Sequence, residues 1–493
     1  MSAVVSSTVG LTVGGSPNLA VGIVTVPSAF SPVGAGSGVN SLLQAYLNGI
    51  SSSISSSVPG GTPVVGLINN DLTAGSVYTV SGSSGKFFEE FTNTDSVGGI
   101  STVNAAPYPG LAVAANVTNL LVEVPGRSVV TGNGNTSLAL FGATSNVVYT
   151  DTNGGTTGAA DSIFAAGGRD VISAYGTNVN PNSSYDIVLS GGGTSQAGAG
   201  KDTVNVGAAF DTVTADGNST ATVYVYGGAT TVNANDSSTV AVQFAQNAGG
   251  TLDFINNSSN AATVFSGNYG VGKFAPNSVT AYGGAGGGYY VGGRAGSNSL
   301  VGGSGAVTLQ AAGAGDYLQG NSSVGNLMFA YQGSETLIGS ATSSNNTFQL
   351  GLAYTGSTGA VVANAVVSTA GSGQQAFILG SSSSSTLTGS NSSVSGTNNL
   401  YIFVSNAATT VNGTSNYLIT DFSSANSSIY LNDTIYGSTN TLGIFSMADS
   451  TAPGFSGAVI TLTDGSTIKL SGVTAASLTT VAGSTGANSI VIT

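Results

Sequence analysis

The chain has 493 residues and a mass of 47.8 kDa, with 75 Gly, no Cys, His or Trp, and only 5% charged residues. Zinc, haem or iron–sulfur sites built on Cys or His are therefore excluded, as is any catalytic triad that needs an imidazole. Seven basic against 20 acidic residues, a net charge of −13, leave no basic patch for nucleic acid, and a mean hydropathy of +0.27 is too apolar for a disordered chain.

The N-terminal stretch reads as two short strands, Val9–Val13 and Ala20–Val26. The best helix candidate follows, from Ser41 to Ser57, with Leu42, Leu43, Tyr46, Leu47 and Ile50 on one face. A loop signal at 59–64 (PGGTPV) and strand patterns at Asn119–Val124 and Ser137–Phe141 come next. The first basic residue is Lys86, so the start lacks the positive region of a cleaved signal peptide, and no apolar run is long enough for a membrane span.

From Asp161 a unit recurs: a turn of small residues, an acid, any residue, then an aliphatic one. Asp161-Ser-Ile, Asp170-Val-Ile, Asp186-Ile-Val, Asp202-Thr-Val and Asp211-Thr-Val follow at spacings of 9, 16, 16 and 9 residues. The phase continues without the acid at Val223, Val232, Val240, Leu252 and Val264, and Leu300, Leu309, Leu318 and Leu327 fall every nine residues. Nine residues make one turn plus one short strand, half a coil of a solenoid whose rungs stack about 4.8 Å apart. An aliphatic side chain repeating at that phase forms a ladder filling a narrow core. The expected fold is all-β, a parallel β-solenoid at 151–415. It would be preceded by a strand arm with one short helix at 1–60 and a β region at 61–150, and followed by a cap at 416–493.

These residues resemble the repeats-in-toxin (RTX) β-rolls. Gly198-Ala-Gly200-Lys-Asp202-Thr-Val204 is similar to their Gly-rich nonapeptide, and Gly168-Arg-Asp170-Val-Ile172 and Gly333-Ser-Glu335-Thr-Leu337 are degenerate copies. Tyr417–Phe422 with Ser428–Leu431 resembles the segment that ends such rolls, and Ala458–Thr474 resembles the C-terminal region of type I secretion substrates. The resemblance implies turn carboxylates bound to Ca²⁺ at Asp161, Asp170, Asp202 and Asp211, with Asp186 and Asp316 as weaker candidates. Asn298, Val307 and Gly325 stand where full repeats would carry Asp, so a continuous row of calcium sites is interrupted. Asn and Ser in those turns can close hydrogen bonds without metal.

Catalysis by paired carboxylates is the competing chemistry. Yet the tightest charged cluster, Lys86-Phe-Phe-Glu89-Glu90, lies outside the repeats and reads as charge flanking an aromatic segment. Lys201-Asp202 and Arg169-Asp170 are explained by the repeat, and no spacing selects a Ser–Lys pair. Tyr224, Tyr226, Phe265, Tyr289 and Tyr290 are candidates for stacking on a sugar or another subunit. A surface short of charge, with only four Lys to blunt strand edges, invites end-to-end joining. The expectation is a secreted, extracellular, non-enzymatic bacterial structural protein without a cleaved N-terminal signal. It would be exported by type I secretion machinery and assemble head to tail with itself into a filament, layer or biofilm matrix, with Ca²⁺ as the candidate cofactor. A carbohydrate-active β-helix enzyme and a monomeric adhesin are the alternatives, told apart by whether acids converge in a groove, stack in turns or scatter.

Overall fold

The computed structural model describes backbone strands from residue 6 onward and side-chain surroundings from residue 163 onward. Several connecting segments lie outside the described residues, among them 28–68, 175–183, 192–200, 267–275, 352–362, 404–414, 432–442 and 483–489. The helix expected at 41–57 falls in one of them. The two N-terminal strands are present as an antiparallel pair, Ser6–Thr12 and Ala20–Pro27. No described helix is long and apolar enough to cross a membrane.

The chain divides into two compact units, residues 1–253 and 254–493. Each is built from long parallel sheets, the architecture of a parallel β-solenoid in which the chain alternates between two sheets and adds one strand to each per coil. In unit 1 one sheet runs through Val77–Thr79, Ser101–Asn104, Leu120–Pro125, Thr136–Phe141, Ala160–Ala166, Ser184–Gly191, Phe210–Gly217 and Ala229–Ala234. The other runs through Val129–Val130, Val147–Thr150, Val171–Ala174, Lys201–Val206, Thr220–Val225 and Thr239–Phe244. Parallel pairing thus begins well before residue 151, where acid-and-aliphatic repeats first become readable.

Alternation sets the core. In Lys201–Val206, Thr220–Val225 and Thr239–Phe244 every second side chain is buried, the period of a strand with one face inward. Ile172, Val204, Val223 and Val242 stack in one inward column and Ile163, Ile187, Val213 and Val232 in another, all at most 1% exposed. β-branched residues suit these sites because their single preferred rotamer packs on the residue one rung away.

Unit 2 repeats the plan with larger side chains. Its leucine sheet comprises Asn277–Tyr282, Ser299–Val301, Tyr317–Gln319, Gly333–Ile338, Ala363–Ser368, Ser385–Thr388, Asn416–Ile419 and Thr467–Ser471. Its central column is Ala281, Leu300, Leu318, Leu337, Val367, Leu387, Ile419 and Leu470, all fully buried. The aromatic sheet comprises Ala262–Phe265, Gly288–Val291, Val307–Ala311, Asn326–Ala330, Asn346–Leu350, Gln374–Leu379, Asn398–Phe403 and Ser427–Leu431. There the column is Val264, Tyr290, Leu309, Met328, Phe348, Phe377, Tyr401 and Ile429. Phe348 stacks on Phe377 at 5.1 Å between ring centres, and Phe377 on Tyr401 at 4.7 Å, with planes 19° and 15° apart.

The strict nine-residue rhythm holds for Leu300, Leu309 and Leu318 but slips at Leu327. Met328 is the residue in register with Leu309, and Leu327 lies on the outer face. The coil is often 19 residues rather than two half-coils of nine: Asp202 pairs with Ala221 and Asp211 with Thr230 in unit 1, and Leu309 with Met328 in unit 2. The odd residue is taken up in a turn, so the strand phase is conserved while the spacing drifts.

After Ser427–Leu431 the direction changes. Ile444–Ser450, Gly457–Leu462 and Thr467–Ser471 pair antiparallel, and Ile490–Ile492 joins Ser427–Leu431 antiparallel. Gly287 shows how tightly one turn closes. Its φ is +76°, and a Cβ there would lie 2.0 Å from the carbonyl oxygen of Ala306 in the next coil. Gly287→Ala is expected to cost about 2 kcal/mol or more, read as a lowered melting temperature, because both the left-handed backbone and the close approach disfavour a side chain.

Candidate functional site

The chemistry-bearing residues concentrate at one structural position: the first inward side chain of a strand, next to its turn. In unit 1 the register stacks Asp170 on Asp202 in adjacent rungs, followed by Ala221 and Val240. Asp170 is 0% and Asp202 6% exposed, and the Asp170 backbone N–H donates to Asp202 Oδ1 at 2.9 Å. Burial pushes the Asp202 carboxyl up to about 7. The N–H bond from Asp170 works against this, and the charge of Asp170 adds to the rise.

On the other sheet of unit 1 the matching column is Asp161, Tyr185, Asp211 and Thr230. Asp211 is buried at 2% exposure, whereas the side chain of Asp161 lies outside the described residues. The four predicted calcium ligands are therefore divided two and two between sheets, and only Asp170 and Asp202 are rung neighbours. Asp186 is exposed, one place out of phase with Tyr185, so it does not join the column. Lys201 is exposed while Asp202 points inward, since adjacent strand residues face opposite ways, and Arg169 falls outside the described residues.

Unit 2 carries the same position further. Along the leucine sheet the column reads Val279, Asn298, Asp316, Glu335, Ala365, Ser385 and Tyr417. Three of its polar side chains, those of Asn298, Asp316 and Ser385, serve the rung before them. Val279 N donates to Asn298 Oδ1 at 2.8 Å, Asn298 N to Asp316 Oδ1 at 2.9 Å, and Ala365 N to Ser385 Oγ at 3.0 Å. Asp170 and Asp202 in unit 1 repeat this bond, so Asp202 and Asp316 each accept the backbone N–H of the residue one rung before.

Along the aromatic sheet the equivalent column is Val307, Asn326, Asn346, Gln375, Asn399 and Ser427. Asn326 Nδ2 donates to Asn346 Oδ1 at 2.7 Å, and Asn346 Nδ2 to Gln375 Oε1 at 2.7 Å. Thr369 joins both, 3.1 Å from Asn346 Nδ2 and 3.0 Å from Gln375 Oε1. This amide ladder was not anticipated from the sequence. Its signal was present: Asn326, Asn346 and Asn399 each open an apolar run of alternating phase.

A surface groove of about 560 Å³ on unit 2 is lined by Thr388, Gly389, Thr420, Asp421, Ser423 and Ser471 among others. Asp421 is its single acid. Asp421 Oδ1 accepts Gly389 N at 2.9 Å and the Tyr401 hydroxyl at 3.5 Å, and burial raises its carboxyl above the usual range. One carboxyl engaged in joining two coils does not supply the convergent pair that glycoside hydrolysis requires. Among the described residues no three acids gather into a metal cluster. The aromatic candidates divide: Tyr290 is fully buried in the core, Tyr289 stacks on Phe265 at 6.5 Å, and Tyr224 and Tyr226 are half-buried. The side chains of the Lys86–Glu90 cluster lie outside the described residues. No protein-family model matches the chain, and no curated protein or solved structure does either.

Proposed function

We propose that this chain is a secreted bacterial structural protein that assembles with itself into an extracellular filament, layer or matrix. The observation that carries the reading is the strand Ile444–Ser450. Neither of its faces is buried, and its Phe445 is 77% exposed. A nearly uncharged strand with a protruding aromatic ring is a template for a second chain. The inward polar columns favour the same role, because their side chains are spent on holding one coil to the next rather than on a substrate.

The RTX-like export and calcium chemistry belong to this proposal. Residues 416–493 would address the type I secretion machinery, and Ca²⁺ would sit at the turn carboxylates of Asp170 and Asp202, with Asp161 and Asp211 on the other sheet. Electron microscopy and sedimentation of the purified chain, with calcium and with chelator, test the assembly. Polymers are expected, and Phe445→Lys is expected to raise the concentration needed for them at least about tenfold, the loss of one aromatic anchor costing upwards of 1.4 kcal/mol. Persistent monomers of the parent chain at high concentration in both conditions would overturn the reading.

A further inference from the structure

The aromatic sheet of unit 2 is apolar on both of its faces. Opposite the inward stack, two outward columns run in register from Asn326–Ala330 to Ser427–Leu431. Leu327 leads through Thr347 and Ala376 to Leu400, and Phe329 leads through Gln349 to Ile378, Ile402 and Tyr430. These outward side chains are half-buried. None of the eight strands of this sheet contains a charged residue. The matching outward positions of unit 1 are polar, with Lys201, Thr203 and Asn205 followed by Thr220, Thr222 and Tyr224. Every described strand of unit 2 belongs to this sheet or to the leucine sheet, so no third layer of described strands covers the outward face. Parallel strands covered on both faces read as continuous apolar runs, and Asn326–Ala330 (NLMFA) and Gln374–Leu379 (QQAFIL) read that way.

We propose that this outward face pairs with the same face of a second copy about a two-fold axis, sheet upon sheet. The strands are four to six residues long. Stacked about 4.8 Å apart, they form a face of about 600 Å², so two copies bury about 1,200 Å², where stable interfaces begin. Sheets packed in this way keep their strands within about 30° of one another, and their inner side chains interdigitate. Charge selects the partner. Copies of a chain carrying −13 repel wherever their acids meet, whereas this face brings no charge to the contact. The same −13, with no Lys or Arg between Arg294 and Lys469, gives the face no hold on an anionic lipid surface. A two-fold contact closes on itself and stops at two chains, so polymers need the strand at Phe445 as well. The proposal deepens the self-assembly reading and rests on it for that second contact, while the face itself stands or falls separately.

Sedimentation velocity of the full chain carrying Phe445→Lys tests this, at concentrations where that substitution keeps polymers from forming. A dimer is expected at micromolar concentration. Adding Ile378→Lys is expected to raise its dissociation constant at least about tenfold, because a two-fold contact loses the anchor twice and gains two like charges. Should that variant fail to fold, Leu327→Lys on the same face serves in its place. The sequence has no Cys, so Ile402→Cys places a single thiol on the face. Its reaction with a maleimide is expected to slow as the dimer forms, while Thr222→Cys on the outward face of unit 1 reacts at one rate throughout. Monomers of Phe445→Lys up to about 100 μM, beside polymers of the parent chain, would overturn the face contact and leave the Phe445 contact standing. Dimers of the parent chain that never polymerise would do the reverse. A dimer indifferent to both I378K and L327K would also overturn the proposal. So would monomers that sediment with phosphatidylcholine vesicles, which would make the face a lipid-binding surface instead.

Discussion

Replacing Phe377 with Ala is expected to destabilise unit 2 by about 3–5 kcal/mol, the range for emptying a fully buried aromatic site. Phe377 is the middle ring of the Phe348–Phe377–Tyr401 stack and is 0% exposed. Truncation removes both ring contacts and leaves a void that neither neighbour can fill, since each is fixed by its own strand pairing. The effect should also be local. A coil touches only the coils beside it, so stability is close to a sum of rung and neighbour terms. Hydrogen exchange is expected to accelerate in Asn346–Leu350 and Asn398–Phe403 while Ser299–Val301 and Tyr317–Gln319 stay protected. Uniform loss of protection across unit 2 would show instead that the coils unfold as one block.

Asn346→Leu is the second large effect, expected to cost about 2–5 kcal/mol. The substitution preserves volume but deletes the bonds to Asn326, Ser340, Thr369 and Gln375. The damage lies mainly in the stranded partners: Asn326 Nδ2 loses its bond along the ladder, and the Gln375 carbonyl loses the Asn346 amide donor while the Thr369 hydroxyl remains. A buried polar group without a partner costs more than the bond it once made. Denaturant unfolding checks the magnitude, and a further change separates bond from burial. Asn326→Val on top of Asn346→Leu continues the apolar residue already present at Val307 and removes one stranded donor. The double variant is therefore expected to lose less than the sum of the singles.

The parallel coil was legible wherever small residues fill the core. Val204, Val223, Val213 and Val232 keep strict phase because a narrow interior accepts little else. Asp202 and Asp170 were legible as turn acids, and their inward position follows from the same alternation that buries Val204 and Ile172. The phase error at Leu327 had a physical cause. A turn can absorb one residue without disturbing the strands, so counting along the sequence fails where counting along the register does not. The Asn–Gln ladder escaped notice because amide side chains fit exposed turns as well as buried columns, and only stacking tells the two apart. The division of Asp161 and Asp211 from Asp170 and Asp202 was equally hidden, since a nine-residue step changes sheets and an acid motif looks alike on either side.

Successive members of the leucine-sheet column need not be close in sequence. Asn298 and Asp316 are 18 residues apart and Ala365 and Ser385 are 20, yet Tyr417 is followed in register by Ile468, 51 residues on. Extra chain, in the last case including the antiparallel strands Ile444–Ser450 and Gly457–Leu462, is thus accommodated between rungs while the stacked strands keep their register. The corners are accordingly natural grafting points: a foreign peptide spliced there would be presented at the periphery, with its neighbours above and below still zipped. Copies of such a chain arrayed together would display the guest at regular intervals, with spacing governed by which corner received it.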